Sequence, residues 1–258
     1  MEIRLDGKTA IVTGGSKGIG FAIASSFALS GADVALVARG QEALDAAVKS
    51  LSARTRTRVV GISCDVSKAD DVKRAYDSAM KELGKLDILV NNAGTSRAMP
   101  FAEVTDELWQ EDLDLKLFGA IRFVRQVWPQ MQERRWGRII NILNIGAKAP
   151  RAASAPTSVT RAAGMALTKV LAGEGAPHNI LVNALLVGRI ESDQWVQRAQ
   201  QLGKPLPEFL AEMGKAIPLG RVGRAEEFAN MACFLASDAG SYITGTATNI
   251  DGGSSPVV

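Results

Sequence analysis

Short apolar runs recur along the chain, and stretches of helical periodicity separate them. The runs Lys8–Thr13, Asp33–Ala38, Arg58–Ser63, Leu86–Val90, Arg138–Leu143, Ile180–Leu185 and Thr246–Ile250 predict strands. Between them the pattern predicts helices from the glycine-rich turn after Thr13 to about Ser30, then over Gln41–Arg54, Lys68–Leu83, Asp106–Arg135, Ala155–Glu174, Gln194–Met213 and Ala225–Ser237. Pro129 is expected to bend or interrupt the longest helical region, and Pro205 and Pro207 to interrupt the segment at Gln194–Met213. Strands separated by helices require crossover connections. The expected fold class is therefore α/β: a Rossmann-type, doubly wound parallel sheet of about seven strands with helices on both faces. No repeat, low-complexity tract or linker divides residues 1–258, so one domain is expected. The longest irregular stretch, Val187–Gly220, follows the C-terminal end of a strand, where open α/β sheets bind ligands. It is the expected substrate-loop region.

Composition narrows the chemistry. The 258 residues are 47% hydrophobic and 22% charged, ordinary for a soluble globular chain. The net charge of +3 comes from Lys and Arg scattered among acids, which argues against a nucleic-acid surface. No apolar stretch reaches membrane-spanning length. The opening Met1-Glu2-Ile3-Arg4-Leu5-Asp6 lacks a signal-peptide pattern, and Cys64 and Cys233 read as reduced thiols, so a cytoplasmic protein is expected. One His, His178, and two Cys exclude a multi-histidine or four-thiolate metal site. Only Tyr76 and Tyr242 are available for tyrosine chemistry.

Thr13-Gly14-Gly15-Ser16-Lys17-Gly18-Ile19-Gly20 lies between the first predicted strand and helix. Glycines there let the backbone approach a phosphate, and the helix N-terminus offers free N–H groups with partial positive charge. A nucleotide is the expected ligand.

This wording resembles the short-chain dehydrogenase/reductase superfamily over essentially the whole chain. Asn91-Asn92-Ala93-Gly94, Cys64-Asp65-Val66, Pro218-Leu219-Gly220-Arg221 and Asp251-Gly252-Gly253 are similar to that family's further motifs. The resemblance implies that Gly14, Gly18, Ile19 and Gly20 line a dinucleotide, with Ser16 and Lys17 in the same turn. It implies that Asp65 and Val66 hold the adenine, and that Asn91, Ala93 and Gly94 lie along the ribose and nicotinamide side. Gly188 and Ile190 would pass the nicotinamide amide, although Val187 replaces the family's proline. The second strand ends Ala38-Arg39-Gly40, with no acid to bind a ribose 2′-hydroxyl. Lys17 and Arg39 instead favour a 2′-phosphate, so NADP(H) is expected over NAD(H).

The family's Asn-Ser-Tyr-Lys active site is absent. No Tyr-x-x-x-Lys exists; aligning the flanking words puts Lys116 at the Asn position, Asn144 at Ser, Thr157 at Tyr and Arg161 at Lys. The nearest wording is that of the 3-oxoacyl-(acyl carrier protein) reductase-like branch, in a subgroup lacking the usual tetrad. A threonine hydroxyl is a far weaker acid than a phenol of pKa about 10. Arg161 stays charged and cannot relay a proton. Lys116 beside Arg161 would be pushed toward neutrality by like charge and could serve as general acid, or the two could hold an anion. The substrate is thus expected to be a small molecule, apolar or anionic. Three readings stay open: an atypical carbonyl/alcohol oxidoreductase, a catalytically inert dinucleotide-binding protein in which Lys116 is solvated, and a non-redox isomerase or lyase. The resemblance also implies a homotetramer or homodimer, built through the helix carrying Thr157 and the C-terminal strand.

Overall fold

The computed structural model describes residues 3–258, apart from the side chains at positions 193 and 194. Met1, Glu2 and the Asp193 side chain therefore lie outside the described residues. Strands β1 (Thr9–Thr13), β2 (Asp33–Ala38), β3 (Val59–Ser63), β4 (Ile88–Asn91), β6 (Gly137–Asn144), β8 (Ile180–Val187) and β9 (Ala247–Ile250) form one sheet. Its order is β3-β2-β1-β4-β6-β8-β9, and every pairing is parallel. Helices α1 (Gly18–Leu29), α2 (Gln41–Ser52), α3 (Ala69–Leu83), α4 (Asp106–Leu113), α5 (Gly119–Arg134) and α6 (Thr157–Gly175) precede α7 (Asp193–Gln201), α8 (Leu206–Gly214) and α9 (Ala225–Ala236).

The strand sequences read as nearly unbroken apolar runs because both faces of the sheet are covered. Side chains alternate between the two faces. Val12, Leu36, Val90 and Ile140 join a core with Phe27 of α1 and Phe228 of α9. Ile11, Val37, Leu89 and Ile139 join the opposite core with Ala79 of α3 and Phe123 of α5.

Two departures from the sequence pattern matter for function. The long helical region breaks at a π-helical turn, Asp114–Phe118, and not at Pro129. Pro129 sits on the exposed face of α5, so the backbone bond it cannot make faces water, while Phe123, Val127 and Met131 hold the buried face in place. The segment expected to start a helix at Ala155 first forms a strand: β7 (Ala155–Pro156) pairs antiparallel with β5 (Ala98–Met99), and α6 begins at Thr157. The Val187–Gly220 stretch carries α7 and α8, which together are the interrupted helix expected over Gln194–Met213. The break between them falls at 202–205, and Pro207 is tolerated in the first turn of α8.

The sheet places the ends of β1, β4, β6 and β8 along one edge, with the start of α6 beside them. Gly188, just past β8, meets the C-terminal segment so closely that a Cβ would stand 2.5 Å from both Cα and Cβ of Asp251. Gly188→Ala is expected to destabilise the protein by about 1–3 kcal/mol, as overpacking does in other cores. Urea unfolding should show a lower midpoint with an unchanged slope.

Candidate active site

β1 and β4 are neighbours whose crossovers run to opposite sides of the sheet, which opens a crevice at their C-terminal ends. The crevice is tied together by Thr13 and Asn92. The Thr13 hydroxyl accepts from the N–H groups of Asn92 (2.9 Å) and Ala93 (3.0 Å), and Asn92 Nδ2 donates to the carbonyls of Thr13 (2.9 Å) and Gly14 (3.2 Å). Gly14 has φ +65, and a Cβ there would lie 2.8 Å from Asn92 Nδ2. A Cβ at Gly20 would come within 2.2 Å of the Gly14 carbonyl oxygen. Glycine at both positions is what lets the α1 N-terminus approach this edge. Ser16 and Ile19 are half-buried in the turn, Gly18 has φ +53, and Lys17 is the exposed N-cap residue of α1.

Arg39 is exposed just beyond β2. Asp65 accepts from the Ser67 hydroxyl (2.7 Å) and N–H (3.0 Å). The Ser67 bonds, with the nearby charges of Lys68 and Arg39, hold the Asp65 carboxyl below its usual range. Val66 is buried against Gly119, where a Cβ would meet Val66 Cγ2 at 3.1 Å. Asn91 turns into the sheet, donating to Asn141 Oδ1 at 2.9 Å. Gly188 packs on Asp251, and the buried Ile190 gives its carbonyl to the Trp195 indole at 2.8 Å.

The tetrad positions converge at the same edge. Lys116 lies in the π-helical turn, where the Gly119 N–H bonds to the Asp114 carbonyl, and its side chain is 1% exposed. It is therefore not a solvated helix residue. Its ammonium donates to Asp112, whose side chain is equally buried, and to the Thr157 hydroxyl at 2.8 Å. Burial is the main reason that Lys116 is pulled down to about 8; the Arg161 charge acts in the same direction, and the Asp112 bond opposes both. Burial, and not the like charge of Arg161 that the sequence points to, is thus the larger cause.

Thr157 is fully committed. Its hydroxyl donates to the Arg97 carbonyl (2.8 Å) and accepts from Lys116 and from the Arg97 N–H (2.9 Å). One hydrogen and two lone pairs are thereby used, which leaves no proton to give a substrate.

Arg161 donates through Nη1 to the Ile142 carbonyl at 2.9 Å. A Cβ at Gly94 would lie 2.7 Å from Arg161 Nη2, so glycine there gives the guanidinium its room, and Lys116 Cγ packs on the same spot at an ordinary 3.5 Å. Burial pulls Arg161 down to about 10, so it remains charged near neutrality. Among the described residues, Arg161 Nε and Asn144 Oδ1 are buried with no hydrogen-bond partner. Orphaned polar atoms and a glycine cradle at one sheet edge fit a dinucleotide with its substrate. No group of three or more metal-ligating side chains occurs among the described residues. His178 lies at the opposite end, in the turn leading into β8.

The chain is 34% identical to 3-oxoacyl-(acyl-carrier-protein) reductase FabG of Aquifex aeolicus (strain VF5), over 98% of this chain and 99% of that one. Residues 14–255 match the family described as Enoyl-(Acyl carrier protein) reductase. The chain belongs to the short-chain dehydrogenase/reductase superfamily. Within that superfamily it superimposes on L-sorbose reductase from Gluconobacter frateurii, solved with NADPH and L-sorbose, with TM-score 0.96, 36% identity and full coverage of both chains. A second structure, an NADPH-bound short chain oxidoreductase from Pseudomonas aeruginosa PAO1 described as containing an atypical catalytic center, gives TM-score 0.93 and 38% identity, covering 99% of each chain.

Asp112, Thr160, Arg97 and Asn92 make bonds at this edge that the sequence pattern did not single out. The Asp112–Lys116 spacing of four, acid before base on a helix, was a readable signal for the first. Arg97 and Asn92 act largely through the backbone or on it, so their residue type carries little sign of the role. Removing Lys116 alone would strand a buried carboxylate. Lys116→Met is expected to destabilise the fold by about 3 kcal/mol. In a double-mutant cycle read by urea unfolding, Lys116→Met combined with Asp112→Asn should cost markedly less than the two single changes added together.

Proposed function

We propose that the protein is an NADP(H)-dependent oxidoreductase acting on a carbonyl or alcohol, with Lys116 supplying the proton that tyrosine supplies elsewhere in the superfamily. The observation that carries this reading is the buried Lys116 ammonium. Two of its three N–H donors are held by Asp112 and Thr157, and it stands with Arg161 beside Gly94 at the carboxyl edge of the sheet. The NADPH-bound relatives and the exposed cations Lys17 and Arg39, with no acid ending β2, support NADP(H) as the cofactor.

Gly14, Ser16, Lys17, Gly18, Ile19 and Gly20 would hold the pyrophosphate and 2′-phosphate side, with Arg39. Asp65 and Val66 would flank the adenine, and Asn91, Ala93, Gly94, Gly188 and Ile190 would border the nicotinamide half. When bound, the nicotinamide supplies or accepts the hydride. Arg161 holds ribose hydroxyls as a fixed cation. Asn144 offers its unpartnered amide oxygen to a substrate hydroxyl. Lys116 gives a proton to the carbonyl oxygen during reduction, becoming the neutral amine, and takes it back during oxidation. Thr157 anchors Lys116, and its one proton goes to the Arg97 carbonyl and not to the substrate.

The 187–220 segment, with α7 and α8, serves as the substrate loop of one domain. Trp195 and the buried Phe209 pack with ring centroids 6.4 Å apart and stiffen it. Apolar residues exposed on α6, Val159 and Val170, suit self-association into a dimer or tetramer. The two cysteines are free and buried, as suits a reducing cytoplasm.

NADPH consumption over a broad carbonyl panel tests the reading. Turnover is expected with NADPH, and it should fall at least about 100-fold in Lys116→Met, the scale of general-acid catalysis. Cofactor binding with no turnover on any member would overturn it in favour of an inert dinucleotide-binding protein. Replacing Lys17 and Arg39 by Ala together should weaken NADPH binding by about tenfold or more while leaving NADH nearly unchanged, measured by fluorescence titration. Reduction needs the protonated amine, so kcat/KM for reduction should hold below pH about 8 and fall above it, while alcohol oxidation rises through the same range.

A further inference from the structure

We propose that Asp112 is a positioning residue of this reaction: its carboxylate fixes the Lys116 ammonium against Thr157, so that the one uncommitted N–H faces the substrate. The inference rests on the reading of Lys116 as proton donor and adds a residue that the tetrad positions do not include. Asp112 sits in the last turn of α4, four residues before Lys116, with the π-helical turn beginning just after it. A widened turn of this kind re-aims the side chains it carries, and such turns recur at functional sites. Here Lys116 reaches the start of α6.

Both carboxylate oxygens of Asp112 are used, and they join two helices. One accepts from Lys116; the other lies 2.7 Å from the Thr160 hydroxyl, one turn along α6 from Thr157. Asp112, Thr157 and Thr160 are all nearly inaccessible. Water therefore does not compete for these bonds, and the ammonium has little freedom to turn away.

The charged groups acting on Lys116 are Asp112 from α4, Arg161 from α6 and Arg97 from the segment before β5. On α5, Arg122 turns instead to Asp114 and the Ser67 carbonyl. Arg97 is paired with Glu111 at the surface. Asp112 is the anion among the three acting groups, and it alone opposes the two cations that disfavour a protonated Lys116. Without it, the amine loses both its direction and its proton at lower pH.

The test uses the full-length protein with NADPH and the best carbonyl substrate, comparing Asp112→Asn, Asp112→Glu, Thr160→Val and Lys116→Met. Asp112→Asn keeps the shape and removes the charge. It should keep the NADPH Kd within about threefold, lower kcat at least about tenfold with little change in KM, and move the alkaline limb of reduction about one pH unit or more toward acid. Asp112→Glu should restore part of that limb. Thr160→Val loses one bond to the carboxylate and should move the limb the same way by a smaller amount, which serves if Asp112→Asn folds poorly. An unchanged limb and kcat in Asp112→Asn or, should that variant not fold, in Thr160→Val would overturn the role of Asp112. If Lys116→Met itself keeps the wild-type rate and limb, the proton-donor reading fails as well. If Lys116→Met abolishes the limb while Asp112→Asn retains it, only the positioning role is lost.

Discussion

A charge buried in a protein must be paired and hydrogen-bonded, and the Lys116–Asp112 pair is where that requirement shapes this molecule most. Each side chain is all but buried, at 1% exposure. The ammonium needs acceptors, and it finds the carboxylate and the Thr157 hydroxyl. The hydroxyl needs an acceptor in turn, and it takes the Arg97 carbonyl. The carboxylate takes a second donor from Thr160. In this way one pair ties together α4, the π-helical turn, the β5–β7 ribbon and the first turn of α6. Thr157, at the position where the resemblance places a tyrosine, is thus one of four side chains that share a network with a backbone segment.

Glycine geometry sets the other half of the constraint. Gly14 and Gly20 allow β1, Asn92 and α1 to meet without side chains between them, and Gly94 gives the Arg161 guanidinium its room beside Lys116. A Cβ at Gly14 or Gly20 would meet Asn92 or the Gly14 carbonyl, and one at Gly94 would meet the Arg161 guanidinium. Two cations held this close would repel, and the carboxylate beneath them reduces that cost. The chemistry at the edge thus depends as much on missing side chains as on those present.

The fold was legible in the chain because the central strands β1, β2, β4, β6 and β8 are buried on both faces and therefore read as apolar runs. The helices between them, with their buried stripes, forced the parallel order. Capping and tertiary contacts set the ends, so β8 runs on to Val187 because Asn144 pairs with it, a partner invisible to local pattern. The π-helical turn was not legible: Pro129 offered the obvious break, whereas the observed one has no distinctive residue and arises where Asp112 and Lys116 both turn inward. The two-residue ribbon β5–β7 is too short to leave a periodic signal. Of the candidate site, the glycine turn and the four tetrad positions could be found by spacing and flanking words. The reason Thr157 cannot act as an acid could be seen only once all its bonds were placed.

Selective observation of lysine side-chain nitrogens by heteronuclear NMR across pH 6 to 11, in the free protein with Lys116→Met as the assignment control, measures the buried ammonium directly. One resonance, missing in the control, should titrate near pH 8, far below the ordinary lysine value near 10.4. If every lysine resonance titrates close to that ordinary value, Lys116 is not the buried, desolvated donor on which the account rests.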